Sequence, residues 1–246
     1  MEALNNRVAL VTGVGRAAGI GFEVCRQLAS QGITTLLTAR RVEAAESLAG
    51  TLRDEGMDVR PYGLDVAEPD SVRQLADRIQ RDVGRLDILI NNAAGTSAYG
   101  EQAATADLDQ AHVVLETTLF GAWRLIQALL PLLRQSPAGR IVNVSSGAGS
   151  HGDPMFGLAT SNQMGTSYAV SKAALNALTS KLALEETESN VLINAVCPGF
   201  TATFEGGEAM GAQPVADGAA GIVWAALLDD DGPTGKFFRN KAELAW

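Results

Sequence analysis

Short apolar runs alternate with amphipathic stretches along the whole chain, and this alternation restricts the fold more than any other feature. Residues 7–12 read as a strand and 20–31 as a helix that stops near Gly32. Strands are predicted at 33–39, 58–64, 86–91, 140–145 and 191–196. Helices are predicted at 42–55, 69–83 (opened by Pro69), 108–133 with a break, and 215–228. A further helix carries Tyr168 and runs to about residue 187, and Phe237 with Phe238 suggests a last strand. Strand-helix alternation of this kind makes βαβ units and a parallel sheet. Strands that are almost wholly apolar, such as 86–91 apart from Asp87, suit a sheet covered on both faces. No linker, repeat or low-complexity segment interrupts the pattern. The expected fold is a single α/β domain over 1–246, a Rossmann-type doubly wound sheet with helices on both sides.

Charge and side-chain usage exclude several function classes. The net charge is -9 and the pI near 4.7, which argues against nucleic acid and against an anionic membrane surface. Cys25 and Cys197 lack metal-ligand neighbours, and His112 and His151 lack the spacing of a zinc site, so no metal is expected. The longest apolar region, 115–133, is interrupted by Glu116, Arg124 and Gln127 and carries Pro131. It reads as a buried or interface helix and not as a membrane span. The apolar run Val8 to Val11 is too short for a signal sequence, and a cytoplasmic protein with free thiols is expected.

Directly after the first predicted strand comes Thr12-Gly-Val-Gly-Arg-Ala-Ala-Gly-Ile-Gly21, which opens a helix. Glycines there let backbone amides approach a pyrophosphate, and a helix N-terminus favours its charge. The competing explanation is a glycine turn needed only for strand-helix packing; the loop's place between first strand and first helix favours phosphate. The second strand ends Thr38-Ala-Arg40-Arg41, where dinucleotide folds often carry an acid for the ribose diol. Arg40 suits a 2′-phosphate instead, with Arg16 as a second cation. NADP(H) is therefore expected over NAD(H), against the alternative that Arg40 and Arg41 only begin a solvated helix.

Tyr168 and Lys172 stand four apart in a helical run, hence on one face. A tyrosine ordinarily ionises near pH ~10. An ammonium held beside it would favour the phenolate and make it a proton donor and acceptor nearer neutrality. The same spacing also arises where Tyr packs and Lys snorkels, so the rest of the chain decides.

The chain resembles the short-chain dehydrogenase/reductase family over nearly its whole length. The marks occur in order: Thr12-Gly13 with Gly19-Ile20-Gly21, Asp65-Val66, Asn91-Asn-Ala-Ala-Gly95, Asn143-Val-Ser-Ser146, Tyr168-x-x-x-Lys172 and Cys197-Pro-Gly199. The ending Pro233-Thr-Gly-Lys-Phe-Phe-Arg239 is similar to that of the carbonyl reductase branch. The resemblance implies that Tyr168 passes the proton, that Lys172 lowers its pKa and binds the nicotinamide ribose, and that Ser146, more than Ser145, bonds the carbonyl oxygen. It assigns Gly13, Gly15, Arg16, Gly19, Ile20, Gly21, Arg40, Arg41, Asp65, Val66, Asn92, Ala93, Ala94 and Val144 to the cofactor. Tyr168, Lys172, Pro198, Gly199, Thr201 and Thr203 complete that set at the nicotinamide end.

The chain departs from the family pattern in three places. The loop between Gly13 and Gly19 is longer than usual and resembles that of bacterial enoyl reductases, whose tyrosine and lysine stand further apart than these. Thr118 occupies the slot where the family commonly has an Asn that helps hold a proton-relaying water. Ser146 and Tyr168 are further apart than usual, and the added segment 151–164 is expected beside the active site. Its Phe156, Leu158 and Met164, with Phe204, would line a substrate pocket; a surface loop is the alternative. The glycine-rich segment within 200–214 would close over substrate as a lid.

The expected activity is NADPH-dependent reduction of apolar ketones or aldehydes, reversibly alcohol oxidation. Alternatives are an enoyl or carrier-linked ketoacyl reductase and, from another class, an NADP(H)-binding redox sensor with little turnover. The expected partners are a small carbonyl or alcohol substrate and further copies of the chain in a dimer or tetramer.

Overall fold

The computed structural model describes residues 6–161 and 165–246. The first half runs β1 (Val8–Val11), α1 (Ile20–Ala29), β2 (Thr34–Ala39), α2 (Val42–Asp54), β3 (Val59–Gly63), α3 (Pro69–Asp82) and β4 (Ile88–Asn91). The second runs α4 (Leu108–Leu115), α5 (Gly121–Gln135), β5 (Gly139–Val144), α6 (Thr166–Glu185), β6 (Val191–Cys197), α7 (Val215–Ala226), β7 (Phe237–Arg239) and β8 (Ala242–Glu243). All the expected elements are present, with ends shifted by a few residues as fraying termini allow.

The strands form one sheet in the order β3-β2-β1-β4-β5-β6-β7-β8. Every pairing is parallel except β7 with β8. β1, β4 and β5 are buried at every position, as strands with helices on both faces must be. One core lies between the sheet and α1, α2 and α7, around Phe22, Leu28, Leu52 and Ile222. The other lies under α3, α5 and α6, around Leu75, Leu125, Leu129 and Leu182.

The strand order reverses between β1 and β4, which leaves a crevice at their carboxyl ends. Thr12 closes its floor: its hydroxyl accepts the N–H groups of Asn92 and Ala93, each at 3.0 Å, and Asn92 Nδ2 donates to the Thr12 carbonyl at 2.7 Å. The chain then turns at Gly13, whose φ is +71°, and a Cβ there would stand 2.6 Å from Ala93 Cα. Only glycine permits both the left-handed turn and that approach.

Two local features differ from the expected pattern. The break in the 108–133 helix is a π-helical turn, Glu116–Phe120, so the helical run is continuous from Leu108 to Gln135. That run is long and apolar enough to cross a membrane by length and composition, yet Leu125, Ile126, Leu129, Leu132 and Leu133 are buried against the sheet. The second difference is β8, which no apolar run announces. It hairpins back on β7 through Asn240 and Lys241, both at positive φ (52° and 65°), the backbone that a two-residue hairpin needs.

Candidate active site

A groove of about 540 Å³ follows the crevice. Gly13 and Gly15 enter it from the glycine loop, Arg40 from the end of β2, Asp65 and Val66 from the end of β3, and Ala93 and Ala94 from the end of β4. Arg40 is exposed at this wall. The Asp65 carboxylate accepts the Ala67 N–H at 3.0 Å, which fixes the bend after β3. The other residues expected at the cofactor stand behind or beside the groove. Arg16 is exposed and folds back over Gly19, Gly21 is pressed against the Asn92 amide, and Arg41 is the N-cap residue of α2. Val144 offers its carbonyl to Lys172.

Beyond the groove lies a second cleft of about 670 Å³. Ser146 and Tyr168 share its wall with Ile20, Cys197, Pro198, Gly199, Thr201 and Thr203. The two serines after β5 separate here. Both line the cleft, but Ser145 is buried and its hydroxyl donates to Asn176 Oδ1 at 2.5 Å, whereas the Ser146 hydroxyl accepts the Ala148 N–H at 3.2 Å and acts on the Tyr168 phenol.

Tyr168 and Lys172 occupy one face of α6, yet they do not act on each other as expected. Lys172 is 2% exposed and donates from Nζ to the Val144 carbonyl at 2.7 Å, with Nζ 5.5 Å from the Tyr168 ring centroid. Burial pushes the phenol up to about 12, against the pull of the Ser146 bond. Burial pushes the ammonium down to about 8, with nearby Cys197 opposing. In the free protein burial is the largest influence on both groups, so Tyr168 stands above its ordinary pKa and not below it as expected.

Thr118 lies in the π-helical turn, buried, and its hydroxyl accepts the Gly95 N–H at 3.0 Å. It holds the segment after β4 against the helix. Gly95 is packed there so closely that a Cβ would stand 2.7 Å from Val114 Cα. Of the expected pocket residues, Phe156 and Phe204 stand on the cleft wall, with Phe200 between them and ring centroids 6.3 Å apart on each side. Leu158 does not line the cleft; its N–H turns back to the Ser150 carbonyl at 2.9 Å. Met164 falls outside the described residues.

The family profile "short chain dehydrogenase" matches residues 7–210. This chain belongs to that family. It is 34% identical to (+)-neomenthol dehydrogenase of Arabidopsis thaliana, over 96% of each chain. It is 32% identical to carbonyl reductase (NADPH) 1 of Sus scrofa, over 98% of this chain and 95% of that one. The structure of salutaridine reductase from Papaver somniferum superposes with a TM-score of 0.78 at 30% identity, covering 94% of this chain and 99% of that one. Members of the family bind a nicotinamide cofactor, and the relatives are named as oxidoreductases of carbonyl or alcohol groups.

Further residues, not expected from the sequence, line the groove and the cleft of this short-chain dehydrogenase. Gln110, Val113, Val114 and Thr117 line the groove from α4 and the turn after it. Their spacing of three, four and seven marks one helical face, a signal present in the sequence. Tyr99, 78% exposed, lines the second cleft; it lies in a loop without periodicity, where no pattern could single it out.

Proposed function

We propose that the protein reduces apolar ketones or aldehydes with NADPH, and reversibly oxidises the alcohols. One observation carries this reading. Two hydroxyl side chains, Ser146 and Tyr168, stand together on the wall of a cleft rich in aromatic residues, and Ser146 pulls the Tyr168 pKa down against burial. Such donors are suited to a carbonyl oxygen that gains negative charge. Tyr168 gives the proton and Ser146 positions the oxygen. The Lys172 ammonium, held by Val144, adds positive charge behind them. Phe156, Phe200 and Phe204 exclude water and receive the apolar part of the substrate.

The groove fits a dinucleotide: Gly13 allows close backbone approach, Asp65 and Val66 flank the adenine end, and Arg40 supplies the cation for a 2′-phosphate. When bound, the reduced nicotinamide supplies the hydride. The NADPH in the name of the Sus scrofa relative supports the same choice.

Tyr168→Phe tests the reading. Loss of a positioned general acid costs about 10²–10⁴-fold in rate, so kcat for ketone reduction should fall by that much while NADPH binding, followed by fluorescence, persists. Near-normal kcat in this variant would overturn the assignment.

A further inference from the structure

We infer that Asp153 and Arg239 are positioning residues that set the shape of the substrate cleft, an inference that rests on reading this cleft as the ketone site. The two residues are far apart in the chain. Asp153 belongs to the segment between β5 and α6, and Arg239 ends β7. Their side chains meet as an ion pair in the interior, where the Asp153 carboxylate is fully buried.

Each atom of the pair holds a different wall. Asp153 Oδ1 accepts the N–H groups of Met155 and Phe156, each at 2.9 Å, and so fixes the turn that presents the Phe156 ring. Arg239 Nη2 donates to Asp153 Oδ2, while its Nε donates to Cys197 Sγ at 3.3 Å. That sulfur also accepts the N–H groups of Gly147 at 3.2 Å and Gly199 at 3.4 Å. The pair is pressed against Gly147, directly after Ser146, so closely that any side chain at 147 would overlap both partners. Burial alone would raise the Asp153 pKa. The Phe156 and Met155 N–H groups and the Arg239 guanidinium outweigh it and hold the carboxyl below its usual range.

Residues 150–161 form no helix or strand, so the Phe156 ring takes its direction from the Asp153 turn and from its contact with the Phe200 ring. A buried charge pair has one low-energy arrangement, because breaking it leaves an uncompensated charge. Arg239 holds Asp153 in that arrangement, and Asp153 in turn holds the turn that carries Phe156. The gap between Phe156 and the reacting hydroxyls is thereby set by β7, and it selects substrates by bulk.

The test compares 2-acetonaphthone with butanone, using the full chain and NADPH. Arg239→Gln and Asp153→Asn should raise KM for the naphthyl ketone about tenfold or more. Butanone kinetics and kcat at saturation should stay within about twofold. Arg239→Lys, which keeps the charge, should show a smaller rise. Phe156→Ala should show the same loss by itself, and adding Arg239→Gln to it should change nothing more. Equal losses for both ketones, or additive losses in the Phe156→Ala background, would overturn the inference. Chymotrypsin cleavage after Phe156 gives a readout free of turnover, expected at least about tenfold faster in Asp153→Asn at a temperature where its circular dichroism matches wild type. Unchanged cleavage would overturn the anchor even if Arg239→Gln does not fold. A wild-type protein that reduces neither ketone would remove the reading of the site, and the cleavage arm would still decide the anchor.

Discussion

Arg40 and Lys172 place their charges at opposite ends of the proposed dinucleotide path, and each makes a separate prediction. Arg40 lines the groove beside the end of β2. A hydrogen bond to a charged group contributes about 1.5–3 kcal/mol, equivalent to about 10–100-fold in affinity. Arg40→Ala should raise KM for NADPH by that factor and leave KM for NADH within about twofold; equal effects on both would remove the 2′-phosphate argument. Lys172 governs the pH response. Reduction needs a protonated phenol, and Tyr168, pushed up to about 12, keeps its proton across the ordinary range. Lys172, pushed down to about 8, loses its charge as pH rises through that value. Its ammonium favours the developing negative oxygen, so kcat/KM for a ketone should hold below pH 8 and fall above it. The step should be missing from the profile of Lys172→Met. The Tyr168–Lys172 pairing was legible because helix periodicity is local. Which effect dominates the two pKa values was not, since burial depends on β5 and β6, far away in sequence.

The glycine loop and the segment after β6 are the elements that serve the site most directly. A methyl group at Gly13 would need a left-handed residue, costing about 1–2 kcal/mol, and would meet Ala93, an overpacking that costs about 1–3 kcal/mol. Gly13→Ala should therefore destabilise the protein by about 2–5 kcal/mol in urea titrations and weaken NADPH binding. An unchanged midpoint would mean the β1 and β4 loops separate freely. The segment after β6 is pinned at its neck, where Ala202 N–H donates to the Gln213 carbonyl at 2.9 Å and Gln213 N–H to the Phe200 carbonyl at 2.8 Å. Between these ends, Gly206 and Gly211 have positive φ with open space around them, and Phe204 and Met210 face the cleft. A flap hinged this way should be nicked by protease more slowly with NADPH and ketone than without. Equal rates would argue against closure.

At the scale of the molecule, the sheet order puts the chemistry at one end and leaves apolar side chains on adjoining helices. Leu108 of α4, Trp123 of α5 and Val170 of α6 are exposed by 70%, 40% and 46%. We expect these helices to pair between copies, giving a light-scattering mass that is a multiple of 25.7 kDa. Val170→Glu should shift it toward the single chain, and a wild-type monomer would rule this out. The strands, the helices and the phosphate turn were readable from the chain because each depends on near neighbours: apolar runs, 3.6-residue spacing, glycines at bends. The motifs also located Tyr168, Lys172 and Ser146. Tertiary structure alone decided that Ser145 is spent on Asn176, that Thr118 secures Gly95 and that Arg239 reaches Asp153. Those outcomes depend on residues brought together by the fold from tens of positions apart. Side-chain partners and the loss of water around a charge are properties of that assembled neighbourhood, which no local spacing encodes.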